Sequence, residues 1–402
     1  MSSRGPSGPP SGPQSGSPPV SDGDSWGTGS DAEQTFWDDV TLELATQTGQ
    51  VTEEVKELLS TQATRFTFET LLSANNGVAM IIRERLDNGQ ERKFVLKAAA
   101  GIGSEHSIRN EAAWLHRLRY AAHVSTPIYL SNDPLTPLKV PYFLAEYVAH
   151  GTLRQFQERA MRANQIIPNR IMWSIFACLI RSCIAMAYHP PGPHIQLEDT
   201  QVGEPSSLAH NDMHGDNFVF GMLERTRLLS MGGTMYLHEH ALLPPLKLID
   251  FGQSSDSMTA YPTEVNEQLL PEYDDLLGLA NYRPETGRRN QGIDQNLLDI
   301  GLVMIRLSNA RTRVTLEEAR LWIRHPGIRP DLDPDLRLLI QRCLAVDPLN
   351  RPRLEELNMI INNGYFGKTA DHYGEAGQGN GLESDETLRR IVSAYILDAD
   401  TS

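Results

Sequence analysis

The sequence predicts an α+β protein in two lobes, a small antiparallel β-sheet lobe followed by a larger, mainly α-helical one. Three observations carry that expectation. Apolar and polar residues alternate densely from Phe66 onward, the two-residue period of half-buried strands. Asn88-Gly89 separates two strand-like runs, VAMIIRERLD and ERKFVLKAAA, as a hairpin turn does, because both residues tolerate left-handed backbone. After residue 104 the period lengthens to that of a helix, interrupted by one more strand-like segment from Val140 to Tyr147, and the chain is largely helical beyond Leu153.

In chain order, residues 1–30 are mostly Gly, Pro and Ser and offer too little apolar surface to offset the entropy of ordering, so a disordered tail is expected. Residues 31–65 carry two stretches of helical pattern that lead into the main domain. The small lobe is expected over 66–148 and the large lobe over 149–366. Residues 367–402 form a tail in which Leu388, Ile391, Val392, Tyr395 and Ile396 fall at helical spacing behind a Ser384 cap. That short amphipathic helix docks either on the domain or on a partner.

Composition narrows the function. The 402 residues hold 40% hydrophobic and 22% charged side chains, the profile of a globular protein. With 51 acidic against 36 basic residues the net charge is −15, which disfavours nucleic acid and anionic membrane as partners. Three cysteines without a CxxC pair predict neither a disulfide framework nor a cysteine-rich zinc site. With no secretory signal pattern, the expected location is the cytoplasm or nucleus, and the expected state a monomer. Ile171 to Tyr188 is strongly apolar but interrupted by Ser174, Arg181 and Ser182, which predicts a buried helix.

The segments richest in chemistry are LAHNDMHGDNFVFG, residues 208–221, and LKLIDFGQS, residues 246–254. His210, Asp212 and Asn217 stand at the spacing of an H-x-D-x-x-x-x-N loop, and Asp250-Phe251-Gly252 follows a strand-like run. Here the chain resembles the protein kinase superfamily over about residues 66–365. The resemblance implies a two-lobed kinase-like fold, with a five-stranded antiparallel sheet and one main helix before the helical lobe, and with Mg2+ and ATP bound in the cleft. It implies Asp212 as the base that accepts the proton of the attacking hydroxyl, and Asp250 with Asn217 as magnesium ligands.

Further segments extend it. Lys97 in FVLKAAA resembles the strand lysine that grips ATP phosphates, and Glu111, on the margin of the stripe Ile108, Ala112, Leu115 and Leu118, resembles its ion-pair partner. Of the glycine loop only Gly77 remains, with Leu72 and Ala74 at the earlier glycine positions, while backbone from Ser73 to Gly77 faces the phosphates. PYFLAEYVAHGTL resembles the hinge, placing the Glu146 carbonyl and the Val148 amide toward adenine and Ala145 at the gatekeeper. Tyr282-Arg283-Pro284-Glu285 resembles the end of the activation segment, implying a buried pair between Glu285 and Arg351. NLLDIGLVMIRL resembles the central helix, with Asn296 where an aspartate is usual.

Two departures bear on mechanism. Asn211 precedes the catalytic aspartate where arginine is usual, so a phosphate on the activation segment loses its receiving cation. His214 replaces the usual lysine and gives H-x-D-x-H-x-x-N, similar also to aminoglycoside and choline kinases. The expected reaction is γ-phosphate transfer from ATP to a Ser or Thr hydroxyl of a protein. The alternatives are a small-molecule hydroxyl kinase and a pseudokinase scaffold. Long segments at 189–207 and 222–243 read as surface insertions; His238 and His240 share one face if their segment is a strand, a candidate metal-ligand pair without an evident third ligand, and are expected as surface histidines.

Overall fold

A computed structural model of the chain describes residues 31–73, 77–223, 229–231, 234–236, 240–256, 290–309, 311, 313–325, 327–362, 367–375 and 381–399. The chain divides into two compact units, 1–45 and 46–402. One helix, α1 (Asp31–Ser60), replaces the two stretches expected from the sequence. Gly49 within it meets no neighbour, so it brings only its own propensity cost of about 1 kcal/mol.

In the second unit, β1 (Phe66–Ser73), β2 (Val78–Arg85), β3 (Glu91–Ala98), β4 (Pro127–Ile128) and β5 (Tyr142–Glu146) form an antiparallel sheet in the order β1-β2-β3-β5-β4. The β2–β3 hairpin closes through Asn88-Gly89, where Asn88 Oδ1 accepts from the Gln90 N–H at 3.0 Å. Val78, Met80, Ile82, Phe94 and Leu96 alternate inward and meet Val51, Val55 and Leu59 of α1 in one core. Glu84 is fully buried, with Arg65 (2.9 Å) and Arg92 (2.6 Å) supplying the charge that makes its burial tolerable. Helix α2 (Ile102–Leu118) crosses between β3 and β4.

The large lobe is built around α4 (Asn169–Ala187), preceded by α3 (Leu153–Arg162). α4 is long and apolar enough to cross a membrane by length and composition, yet 94% of that stretch is buried inside the fold. A helix apolar all round finds its solvent in neighbouring helices. These include α5 (Gln291–Ser308), against which α6 (Leu316–Arg324) and α7 (Pro334–Cys343) pack in turn, and α8 (Leu354–Ile360). Between α4 and α5 run β6 (Leu208–Ala209), β7 (Phe218–Phe220), β8 (Leu229–Met231), β9 (Thr234–Tyr236), β10 (Leu246–Leu248) and β11 (Ser255–Asp256). The bilobal α+β architecture is kinase-like.

The C-terminal segment docks on the domain. Ser384 caps α9 (Asp385–Val392) by accepting from the Thr387 N–H, and Leu388, Ile391, Val392 and Ile396 join the large-lobe core. Glu383, just ahead of it, accepts the N–H groups of Asn169 and Arg170 at 2.7 and 3.0 Å. It thereby serves the open N-terminus of α4, whose own N-cap, Pro168, has no side chain to do so.

Candidate active site

The pairing of β7 with β10 assembles the site. Leu248 lies opposite Phe218, so the residue before β7, Asn217, and those after β10, Ile249 and Asp250, come side by side. The Ile249 N–H donates to the Asn217 carbonyl at 2.9 Å. Asn217 is buried, and its Nδ2 donates to the Asp212 carbonyl (2.8 Å) and to Asp212 Oδ2 (3.1 Å). That fixes the amide and leaves Oδ1 as its acceptor end. His214 completes the loop: Nδ1 accepts from the Asp216 N–H at 3.2 Å, so Nε2 carries the proton and faces Asp212 Oδ1 at 3.2 Å. Both oxygens of Asp212 are thus held in position while the side chain stays accessible.

The loop is anchored from below without charge. Asn296 on α5, fully buried, accepts from the His210 N–H at 3.0 Å and donates to the Leu208 carbonyl at 2.9 Å. His210 donates through Nε2 to the Ile249 carbonyl at 3.1 Å and packs edge-on against Phe251. Burial pushes its ring down to about 4, against the Ile249 carbonyl and the charges of Asp250 and Asp212, with His214 adding to the downward push. A base with a folded pKa below its ordinary 6.5 stabilises the fold fully above 6.5 and loses that contribution as pH falls toward 4. The loss is about 3 kcal/mol. An NMR titration of the His210 ring is expected to show a midpoint near 4; a midpoint at the ordinary value would contradict its burial.

From the small lobe, Lys97 on β3 donates to both oxygens of Glu111 on α2, at 2.8 and 3.0 Å, and lies 3.7 Å from Asp250 Oδ1. Burial works to lower the lysine's pKa, but the two carboxylates outweigh it and the pKa rises. The lysine is therefore a cation. Asp250 itself takes left-handed backbone (φ 66°), which turns its carboxylate toward Lys97. The donors fit a hard divalent cation: Asp250 offers a carboxylate, Asn217 an amide oxygen, and a neutral second ligand avoids added repulsion.

Sequence reasoning missed Asn110. Its Nδ2 donates to the carbonyls of Phe251 (3.2 Å), Gly252 (3.1 Å) and Ser254 (2.7 Å), tying α2 to the D-F-G segment. Its place next to Glu111 was the only available signal. Asn211, standing for the usual arginine, instead donates to the Gln253 carbonyl (3.0 Å) and to Ser255 Oγ (2.9 Å).

The remaining expected residues lie around this centre. Gly77 lies just before β2 with φ 120°, and a Cβ there would come within 2.7 Å of the Ala98 carbonyl, so this position requires glycine. Ser73 ends β1, and Ala74 lies outside the described residues. Glu146 ends β5; its side chain pairs with Lys247 on β10 (2.5 Å) and accepts the Thr126 N–H (2.8 Å), while its own N–H donates to the Thr126 carbonyl. Val148 follows in the connection to α3. Arg351 is buried and donates to the carbonyls of Asp294 (2.7 Å) and Ala345 (3.0 Å). Glu285 lies outside the described residues, as does His238.

The surface reading of the insertions is corrected at His240. It is 5% exposed and sits in a turn beyond β9 rather than on a strand, so the strand alternation that placed it outward does not apply.

No family model matches the chain. It is 24% identical over 222 residues to Nuclear receptor-binding protein 2 of Mus musculus, covering 54% of this chain and 36% of that protein. Against Nuclear receptor-binding protein 2 of Homo sapiens it is 23% identical over 221 residues, with the same coverage. The match spans about a third of the relatives' length. The similarity supports a kinase-like domain in a coarse sense.

Proposed function

We propose that this chain is an ATP- and Mg2+-dependent phosphotransferase that phosphorylates a Ser or Thr hydroxyl of a protein. The observation that carries the reading is the convergence of Lys97, Glu111 and Asp250, with Lys97 held by Glu111 while 3.7 Å from Asp250. Asp250 and Asn217 would hold magnesium, which when bound neutralises phosphate charge. The Lys97 ammonium adds a fixed positive charge for the phosphates and costs no reorganisation, because Glu111 already orients it. Asp212, positioned by Asn217 and His214, accepts the proton of the acceptor hydroxyl.

A cavity of about 420 Å³ beside His214 is lined by Arg154, Arg306 and Arg313 together with Glu318. In a chain of net charge −15 this local basic lining favours an acidic acceptor segment.

A second reading, a pseudokinase scaffold, is favoured by the relatives and by Leu72 and Ala74 in the glycine loop. Thermal shift with Mg-ATP separates the two. At nucleotide about 100-fold above Kd the wild type should gain about 2.7 kcal/mol. Asp250→Asn should lose most of the magnesium-dependent part. No stabilisation of the wild type by Mg-ATP, together with no transfer of labelled phosphate, would replace the enzyme with the scaffold.

A further inference from the structure

The two segments that lengthen the chain around the catalytic loop, 189–207 and 222–243, each send a buried polar side chain to one place beside β10. His123, in the loop after α2, accepts the Leu248 N–H on its carbonyl at 2.9 Å and also accepts from Ser182 Oγ of α4 at 3.2 Å. Its ring faces His240 of the second insertion, with the two Nε2 atoms 3.1 Å apart. Cys178 on α4 closes the group, its sulfur and the two imidazoles offering ligand atoms that all lie within 4.8 Å of one another. His123, Cys178 and His240 are 1%, 0% and 5% exposed. Glu198 of the first insertion, 2% exposed, accepts from both the His123 N–H and its Nδ1–H, each at 2.7 Å.

This arrangement has the chemistry of a metal centre. With Nδ1–H donating to Glu198, the His123 ring turns Nε2 toward His240 Nε2, 3.1 Å away, a spacing that a proton or a metal cation can bridge. A carboxylate behind a ligating histidine is the usual second layer of a zinc site, setting the tautomer and raising ligand basicity. Zinc bonds of about 2.0–2.1 Å to nitrogen and 2.3 Å to sulfur place tetrahedral ligand atoms about 3.3–3.6 Å apart, inside the range spanned here. Two imidazoles and one thiolate suit a borderline-soft ion, not magnesium or calcium. The competing occupant is a proton shared between the two Nε2 atoms.

We propose that His123, His240 and Cys178 bind one divalent ion of the zinc class, oriented by Glu198, and that this ion fastens both insertions to the base of the fold. The site is separate from the Lys97–Asp250 centre and depends on none of its residues.

The test uses the full chain, stripped with chelator and dialysed against Zn2+ or Co2+ alone, with metal counted by mass spectrometry and cobalt read by absorbance. One equivalent per chain is expected, with a thiolate-to-cobalt charge-transfer band in the near ultraviolet. Cys178→Ser should abolish that band, His240→Gln should remove the ion, and Glu198→Gln should weaken binding roughly 10–100-fold. Circular dichroism checks that each variant is folded. If Cys178→Ser fails to fold, the wild-type band and the His240→Gln titration still decide. Less than about a tenth of an equivalent in the wild type with no cobalt band would overturn the proposal and leave the shared proton. Binding unchanged in both ligand variants would overturn it too, since the ion would then sit elsewhere.

Discussion

Asp212→Asn is expected to lower phosphate transfer about 100- to 10,000-fold while leaving Mg-ATP stabilisation intact. The amide is nearly isosteric and can still accept from Asn217 Nδ2, which now donates to Asp212 Oδ2 at 3.1 Å; its NH2 loses only the contact with His214, so the loop should keep most of its shape. What it loses is basicity, because an amide oxygen does not take a proton from a hydroxyl near neutral pH. The nucleotide contacts proposed above belong to Lys97 and Asp250 and are untouched by this substitution. Steady-state rates with labelled ATP, paired with a thermal shift, separate lost chemistry from lost binding. Equal turnover in wild type and variant would assign any measured transfer to another base or another protein.

Gly292→Ala is expected to destabilise the fold by about 3 kcal/mol or more and to impair catalysis at the same time. Gly292 lies in the first turn of α5, where an added Cβ would overlap the Ser207 carbonyl and approach the Leu208 carbonyl carbon within 2.8 Å. Both obstacles are backbone, so no rotamer change relieves them. The segment they belong to leads through β6 into His210 and Asp212, and Asn296 on the same helix holds the His210 N–H. Displacing one therefore displaces the other. A urea midpoint equal to that of the wild type would show that Ser207 and Leu208 yield without cost.

The contrast between what could be read and what could not has a physical basis. Alternation and an Asn-Gly turn announced the sheet because strand burial has a period of two, and Val78, Met80 and Ile82 obey it. The residues from His210 to Asn217 and from Asp250 to Gly252 were legible because each group is contiguous and its chemistry depends on spacing. The His123, Glu198 and His240 cluster was not. Its members lie up to 117 positions apart and meet only through loops, which have no periodicity to betray which side faces inward. The continuity of α1 was likewise hidden: its pattern read as two helical stretches, yet Gly49 lies inside one helix with open surroundings. Asn110 was invisible for a further reason: an asparagine on a helix is usually solvated, and the three carbonyls that accept from it come from a segment more than 140 residues away.

That shared amide has a mechanical outcome. With one side chain spanning the carbonyls of Phe251, Gly252 and Ser254, the helix that carries Glu111 and the segment that carries Asp250 travel as a single lever. Tilting the helix outward would draw Asp250 with it. If the proposed nucleotide binds, a molecule leaning on the helix from outside would be coupled to it through this one pivot.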